Sequence, residues 1–347
     1  MDRGERETAS LPDAIFACFL ASSRPLNQPS HMNLLILLDM AAEIRNRYRD
    51  RLQQQFPQLN IDLVDHRSKV GPFIATADAL LTFTPMMSDE LLRAAINLKW
   101  IQTLGTGVDN LVELPSLRKD TIVTNVHGIH GAPVSEAALA TMLALSRDLP
   151  RFVRNQDLRR WGRWPARLLH RKTVGIFGVG AIAAALAPRC KALGMTVIGI
   201  SSAPRQVAGF DRMVARADLT KVVGELDYFV LLTPLTPETR NVVGVDVLAA
   251  MRPTAYLINL ARGGVVDEPA LIDVLRRGAI AGAALDVFVE EPLPSDHPFW
   301  SCENVIITTH QGGFCDVYPD LALPTVETNM RCFLAGNIAH MVNVVKH

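Results

Sequence analysis

An arginine, a group of carboxylates and a histidine follow three successive β-type runs. Arg262 comes just after AYLINLA, Asp286, Glu290 and Glu291 lie in ALDVFVEEPLP, and His310 follows NVIITT. Open α/β sheets collect ligands beyond the carboxyl ends of their strands, so these three segments are placed to share one site. A guanidinium can anchor a carboxylate bidentately, an anion beside an imidazole keeps it charged, and a charged imidazole can protonate a forming alkoxide. Those are the groups that hydride transfer to a 2-keto acid requires.

A second constellation lies upstream. TVGIFGVGAIAAALA puts Gly178, Gly180 and Ala183 in G-x-G-x-x-[GA] register, directly after a strand pattern and directly before a helical one. Gly178 suits a tight turn, Gly180 lets backbone approach a pyrophosphate, and a small residue at Ala183 lets helix and strand pack closely. The helix start at Ala181 and Ile182 then offers N–H groups and the positive end of the helix dipole to phosphates. An NAD-selective site places Asp or Glu about 20 residues further on. Here that strand ends GISSAPR, so Ser201, Ser202 and Arg205 stand where the carboxylate is missed. Hydroxyls and a guanidinium suit a 2′-phosphate, and the cofactor expected is NADP or NAD, with NADP preferred.

The elements that must position these groups alternate. From Met32, MNLLILLD is followed by the helical AAEIRNRYRDRLQQQF, then by NIDLVDH, ALLTFTP, SDELLRAAIN, LKWIQTLG and TIVTNV. This is a flavodoxin-like half. A long helical pattern from Val134 to Trp161, interrupted by Pro150, leads to a second series: TVGIFGV, a helix closed by Gly194, MTVIGIS, YFVLLT, AYLINLA, EPALIDVLRRG, GAALDV and NVIITT. Short strands alternating with helices specify a parallel sheet covered on both faces. The expected fold is therefore α/β, with two Rossmann/flavodoxin-like doubly wound domains and an interdomain cleft. Residues 32–131 with 314–347 form a discontinuous substrate domain, and 132–313 the dinucleotide-binding one. The last helical stretch, Asp320 to Asn337, has no strand after it and is expected to return to the first half. Residues 1–31 are read as a disordered or extraneous N-terminal extension; AIFACFLA lacks the cleanly basic start of a secretory signal.

Composition bounds the function. At 347 residues with 49% hydrophobic and 20% charged side chains, the chain can bury two cores. Lys+Arg and Asp+Glu are 35 each and no run is strongly basic, so neither a nucleic-acid nor a membrane partner is expected. Five scattered cysteines without CxxC spacing argue against a disulfide framework or a metal site, and for a reducing cytoplasm. Isolated histidines (His127, His130, His170, His340) are assigned to ordinary polar contacts.

With these residues in view, the chain resembles the D-isomer-specific 2-hydroxyacid dehydrogenase family, which includes glyoxylate/hydroxypyruvate reductases and phosphoglycerate dehydrogenases. The motifs that carry the likeness occur in order from Met32 onward: GTGVDNL at Gly105–Leu111, the Gly178 turn, LTPLTPETRNVVG, NLARGGVVDE, DVFVEEPLP and the His310 segment. The resemblance implies that Arg262 binds the substrate carboxylate and carbonyl, that Glu291 hydrogen-bonds His310 and raises its pKa, and that His310 is the acid/base. It implies that Asp286 holds the nicotinamide carboxamide, that Pro234, Thr239 and Ala261 line the cofactor site, and that backbone N–H groups of Thr106, Gly107 and Val108 grip the substrate carboxylate. A homodimer acting on small 2-keto and D-2-hydroxy acids is implied as well. The chain departs from the family in having Thr309 where Pro usually precedes the histidine, HRKT at His170–Thr173 where a small glycine turn is usual, and Ala183 where Gly is commoner. None of these removes a reacting group. Two other readings stand beside it. One is a dinucleotide-sensing, corepressor-like binding protein, which only turnover separates from an enzyme. The other is formate oxidation, disfavoured because that relative carries Gln where Glu291 stands.

Overall fold

The computed structural model describes residues 32–109 and 111–345. The reading of residues 1–31 as an extension lies outside them. The chain splits into two compact units, one running to Ile129 and resuming at Asp316, the other spanning His130–Cys315.

Thirteen strands occur among the described residues: β1 Met32–Leu37, β2 Leu59–Val64, β3 Ala79–Thr82, β4 Trp100–Thr103, β5 Ile122–Thr124, β6 Thr173–Phe177, β7 Thr196–Ser201, β8 Arg212–Ala215, β9 Tyr228–Leu231, β10 Tyr256–Asn259, β11 Gly282–Leu285, β12 Val305–Ile307 and β13 Val344–Val345. In the first unit they form one sheet in the order β13-β5-β4-β3-β1-β2. All neighbours are parallel except β13 against β5. Every residue of β3 and β4 is buried, as expected for a sheet covered on both faces. The helix Tyr318–Leu334 belongs to this unit and is clamped to the helix Ala42–Gln55 by Arg47 on Asp320 at 2.7 Å and Arg51 on Glu327 at 2.6 Å. A buried polar chain ties the same helix to the sheet. Asn329 donates to Gln102 Oε1 at 2.9 Å, Thr124 donates to that oxygen at 2.8 Å, and the Trp100 indole donates to Thr124 at 2.8 Å. Each member is satisfied, so the chain can specify the docking without leaving an orphaned group.

Two details correct the expectations. A strand does follow the last helix: β13 pairs antiparallel with β5 through Val344↔Thr124 and Val345↔Val123, and Asn329 receives the Val342 N–H at 2.7 Å. A two-residue strand has no alternation to read, so only the long-range pairing defines it. The long helical pattern is two helices, Gly131–Arg147 and Leu149–Asp157. They break at Asp148, which adopts φ 54°, while Pro150 lies in the first turn of the second helix, where a missing N–H is tolerated.

The second unit holds a seven-stranded, wholly parallel sheet in the order β12-β11-β10-β9-β6-β7-β8. The chain order reverses at β6, whose two neighbours are β7 and β9. That is the switch point at which such sheets bind nucleotides. Ala183, Leu186, Ala187 and Cys190 of the helix Ala181–Ala192 are buried against Ala138, Met142 and Leu145 of the preceding long helix. Burial pushes the Cys190 thiol up to about 12, so it is an inert packing group. No helix among the described residues is long and apolar enough to cross a membrane.

Candidate active site

The turn after β6 is made of backbone. Gly178 has φ 100°, and a Cβ there would stand 2.5 Å from the Thr233 nitrogen, two residues past the end of the adjacent β9. No side chain fits. Gly180 faces open space, with nothing within 4 Å of a would-be Cβ, and it precedes the helix Ala181–Ala192 without any side-chain cap. The first helical N–H groups, Ala181 and Ile182 among them, have no intrahelical acceptor. Ala183 is fully buried, as close helix–strand packing requires. At the end of β7 the Ser201 hydroxyl is buried without a hydrogen-bond partner, while Ser202 and Arg205 are exposed. An open cradle of amides and an orphaned hydroxyl at the ribose end fit a dinucleotide phosphate ligand.

Thr239 is bonded within its own loop. It is 3% exposed, donates to the Pro234 carbonyl at 2.7 Å and accepts from Thr236 N at 2.7 Å. Its hydroxyl is thus engaged inside the loop and shapes the turn that leaves Pro234 exposed.

The loops after β10, β11 and β12 bring Arg262, Glu291 and His310 together. Asn259, the last residue of β10, accepts from Ala261 N at 3.0 Å and donates to the Arg262 carbonyl at 3.0 Å, closing the turn that carries the guanidinium. Ala261 is buried and its carbonyl accepts from Arg262 Nη1 at 2.6 Å. Gly263 then presses against the loop after β11, where a Cβ would stand 2.0 Å from the Phe288 carbonyl carbon. In that loop Glu291 accepts from Phe288 N through Oε1 at 2.9 Å, and its Oε2 lies 2.7 Å from His310 Nδ1. Glu291, and not the adjacent Glu290, is the partner of the histidine.

His310 has φ 54°, an unfavourable region for a side-chain-bearing residue. Asp286 holds it there. The Asp286 carbonyl accepts from His310 N at 2.8 Å, and its carboxylate accepts from the Thr308 hydroxyl, from Gln311 N at 2.8 Å and from Gly312 N at 2.8 Å. Asp286 is 3% exposed, and these bonds make it the brace of the His310 turn.

Glu291 is held below the ordinary carboxylate range. Burial alone would raise its pKa. The hydrogen bond and charge of His310, the Phe288 amide and the charge of Arg262 together outweigh that effect. An ionised Glu291 beside Nδ1 leaves Nε2 as the ring nitrogen available for proton transfer.

Thr106, Gly107 and Val108 lie in the other unit, after β4. The Thr106 carbonyl accepts from Asn125 at 2.7 Å, the Gly107 carbonyl from Thr84 at 2.8 Å, and the Val108 carbonyl from Leu111 N at 3.1 Å. Asn110 of the same motif lies outside the described residues. Sequence reasoning did not single out Gly263, whose missing side chain lets the Arg262 turn pack on the loop after β11. For Gly263 the doubled glycine after Arg262 was the available signal.

A parallel sheet with a glycine turn at its switch point and a histidine–carboxylate pair at its strand ends defines a nucleotide-binding oxidoreductase architecture. Comparison with known proteins narrows it. Residues 139–312 match the D-isomer specific 2-hydroxyacid dehydrogenase, NAD binding domain. The chain is 33% identical over 307 residues to glyoxylate/hydroxypyruvate reductase B of Pectobacterium carotovorum, covering 85% of this chain and 94% of that one. It is 34% identical over 273 residues to D-3-phosphoglycerate dehydrogenase of Methanocaldococcus jannaschii, covering 78% of this chain and about half, 52%, of that longer protein. A solved D-isomer specific 2-hydroxyacid dehydrogenase of Xanthobacter autotrophicus, in complex with NADPH and MES, superimposes with a TM-score of 0.73 at 32% identity, covering 90% of this chain and 97% of that one. The chain belongs to the D-isomer specific 2-hydroxyacid dehydrogenase family, whose members are NAD(P)-dependent oxidoreductases.

Proposed function

We propose that this protein reduces small 2-keto acids to D-2-hydroxy acids, as a glyoxylate/hydroxypyruvate reductase does, and prefers NADP(H). One observation carries the reading: His310 Nδ1 meets an ionised Glu291 at 2.7 Å, with the charge of Arg262 reaching the same carboxylate. A reduced nicotinamide, when bound, supplies the hydride. Arg262 anchors the substrate carboxylate and polarises its carbonyl, and His310 hands a proton from Nε2 to the carbonyl oxygen as it gains charge. Glu291 keeps the imidazole oriented and compensates its positive charge. In the oxidative direction the same nitrogen removes the hydroxyl proton.

The Gly180 cradle and the amides of Ala181 and Ile182 are assigned to the pyrophosphate. Ser201, Ser202 and Arg205 are assigned to a 2′-phosphate, supported by the orphaned Ser201 hydroxyl and by the absence of a carboxylate between Ser201 and Phe210. Pro234 and Ala261 are assigned to the walls of the cofactor site. The Thr106–Val108 amides, on the loop after β4, are assigned to the substrate carboxylate. We also assign the protein to the cytoplasm as a homodimer. Leu149, Phe152, Val153, Leu158 and Trp161 are exposed apolar side chains on and just after a helix that buries no residue of its own, which supports a second copy as their partner.

Steady-state kinetics over a panel of keto acids, with NADPH and NADH and with His310→Ala as control, test the assignment. Turnover with glyoxylate or hydroxypyruvate that collapses in the variant supports it. Tight dinucleotide binding without turnover on any keto acid would replace it with the sensing, corepressor-like reading.

A further inference from the structure

A second histidine–carboxylate pair lies behind the first. Glu268, the first residue of the helix Glu268–Arg276, accepts from Val289 N through Oε1 at 2.7 Å. Its other oxygen, Oε2, faces His297 Nε2 at 3.6 Å. His297 Nδ1 accepts from Phe299 N at 3.3 Å, which places the ring proton on Nε2, toward Glu268. The imidazole is itself fixed by packing, 4.9 Å from the Phe299 ring, and Phe299 in turn lies 6.1 Å from Phe288. Side-chain exposure is 18% for His297 and 13% for Glu268, so both members are shielded from competing water.

Two successive amides of one loop are therefore gripped by two carboxylates. Phe288 N donates to Glu291, which bonds His310; Val289 N donates to Glu268, which faces His297. The peptide between them is also backed by Gly263, where an added Cβ would stand 2.3 Å from both the Phe288 oxygen and the Val289 nitrogen. Arg262 is the residue before that glycine. Glu268 and Gly263 thus hold the same peptide. Among the described residues, His310 and Arg262 act on the Glu291 carboxylate, and His297 faces Glu268.

We propose that Glu268, oriented by His297, is a positioning residue for the reaction: it fixes the Phe288–Val289 peptide and thereby aims the Glu291 carboxylate at His310. The proposal rests on the reading of His310 and Glu291 as the proton-transfer pair. Small displacements of a reacting pair are costly, so Glu268→Ala lowers kcat by at least about tenfold while KM for the keto acid and Kd for NADPH stay within about twofold. The pH profile of kcat moves with it. Glu268→Gln retains an oxygen acceptor for Val289 N–H and restores kcat to within about threefold of wild type. An unchanged kcat and pH profile in Glu268→Ala would overturn the proposal, as would equal losses of kcat and NADPH affinity in both variants, the mark of a general structural role. The His310 imidazole resonances, followed by NMR in the protein without cofactor, decide the matter independently of turnover. They move and titrate differently in Glu268→Ala if Glu268 sets the pair, and coincide with wild type if it does not. Should His310→Ala retain turnover, the functional reading fails while the resonances still test whether Glu268 positions the pair.

Discussion

Two strand-end regions of one parallel sheet solve different problems in opposite ways. The turn after β6 works by omission: Gly178 and Gly180 carry no side chains, the helix start has no cap, and the product is a bare row of amides. The loops after β10, β11 and β12 work by occupation. Asn259, Asp286, Glu268 and Glu291 each direct side-chain oxygens at backbone N–H groups, so the chain is held by its own carboxylates and amide. A diphosphate brings its own charge and oxygens and needs only donors. A proton-transferring imidazole must be aimed, and aiming needs directional bonds from several sides.

That contrast can be broken or sharpened by substitution, the largest effect first. His310→Ala removes the proposed proton donor, and kcat for keto-acid reduction is expected to fall by about 10² to 10⁴, with NADPH affinity unchanged by fluorescence titration. If NADPH binding falls in step with kcat, the two regions are not separable. Asp286→Ala leaves the Gln311 and Gly312 amides and the Thr308 hydroxyl without their acceptor, and buried orphaned donors cost about 1–3 kcal/mol each at most before relaxation. A loss of about 3 kcal/mol in urea unfolding is expected, together with impaired turnover.

Gly178→Ala forces a Cβ into the Leu232–Thr233 backbone at a positive φ, a strain of about 1–3 kcal/mol, and its signature is loss of dinucleotide binding with the His310 loop resonances undisturbed. Glu291→Gln reads out as a pH dependence. Because the folded-state pKa of Glu291 is depressed, its stabilisation is fully present above the unfolded carboxylate value near ~4.3 and is lost as pH falls through the lower folded value. The stability gap between wild type and Glu291→Gln therefore closes on acidification, as chemical denaturation across pH will show. Ser201→Ala is the smallest change. The hydroxyl has no protein partner to lose, so melting is unaffected while the preference for NADPH over NADH drops about threefold, the scale of one net hydrogen bond.

The elements themselves were legible. MNLLILLD, TVGIFGV and AYLINLA became β1, β6 and β10, because apolar runs bounded by helical periods admit few alternatives. The break at Asp148 was displaced onto Pro150 in the reading, since proline marks a boundary in sequence whereas a left-handed aspartate does not. β8 and β13 escaped notice for the same reason: short edge strands owe their existence to pairing rather than to their own pattern.

Sequence by itself determined which residue types stand at the strand ends: the glycine register, Arg262, the Glu290–Glu291 pair and His310 are local statements, each contained in a few consecutive residues. Only the tertiary structure decided that Glu291 meets the imidazole at Nδ1, that the Asp286 and Thr239 side chains bond protein groups, and that Glu268 and Gly263 hold one peptide between them. The physical reason is range. A backbone turn is set by the conformational freedom of its own residues, while the direction of a carboxylate is set by amides that lie far away along the chain and come near only when the sheet has formed.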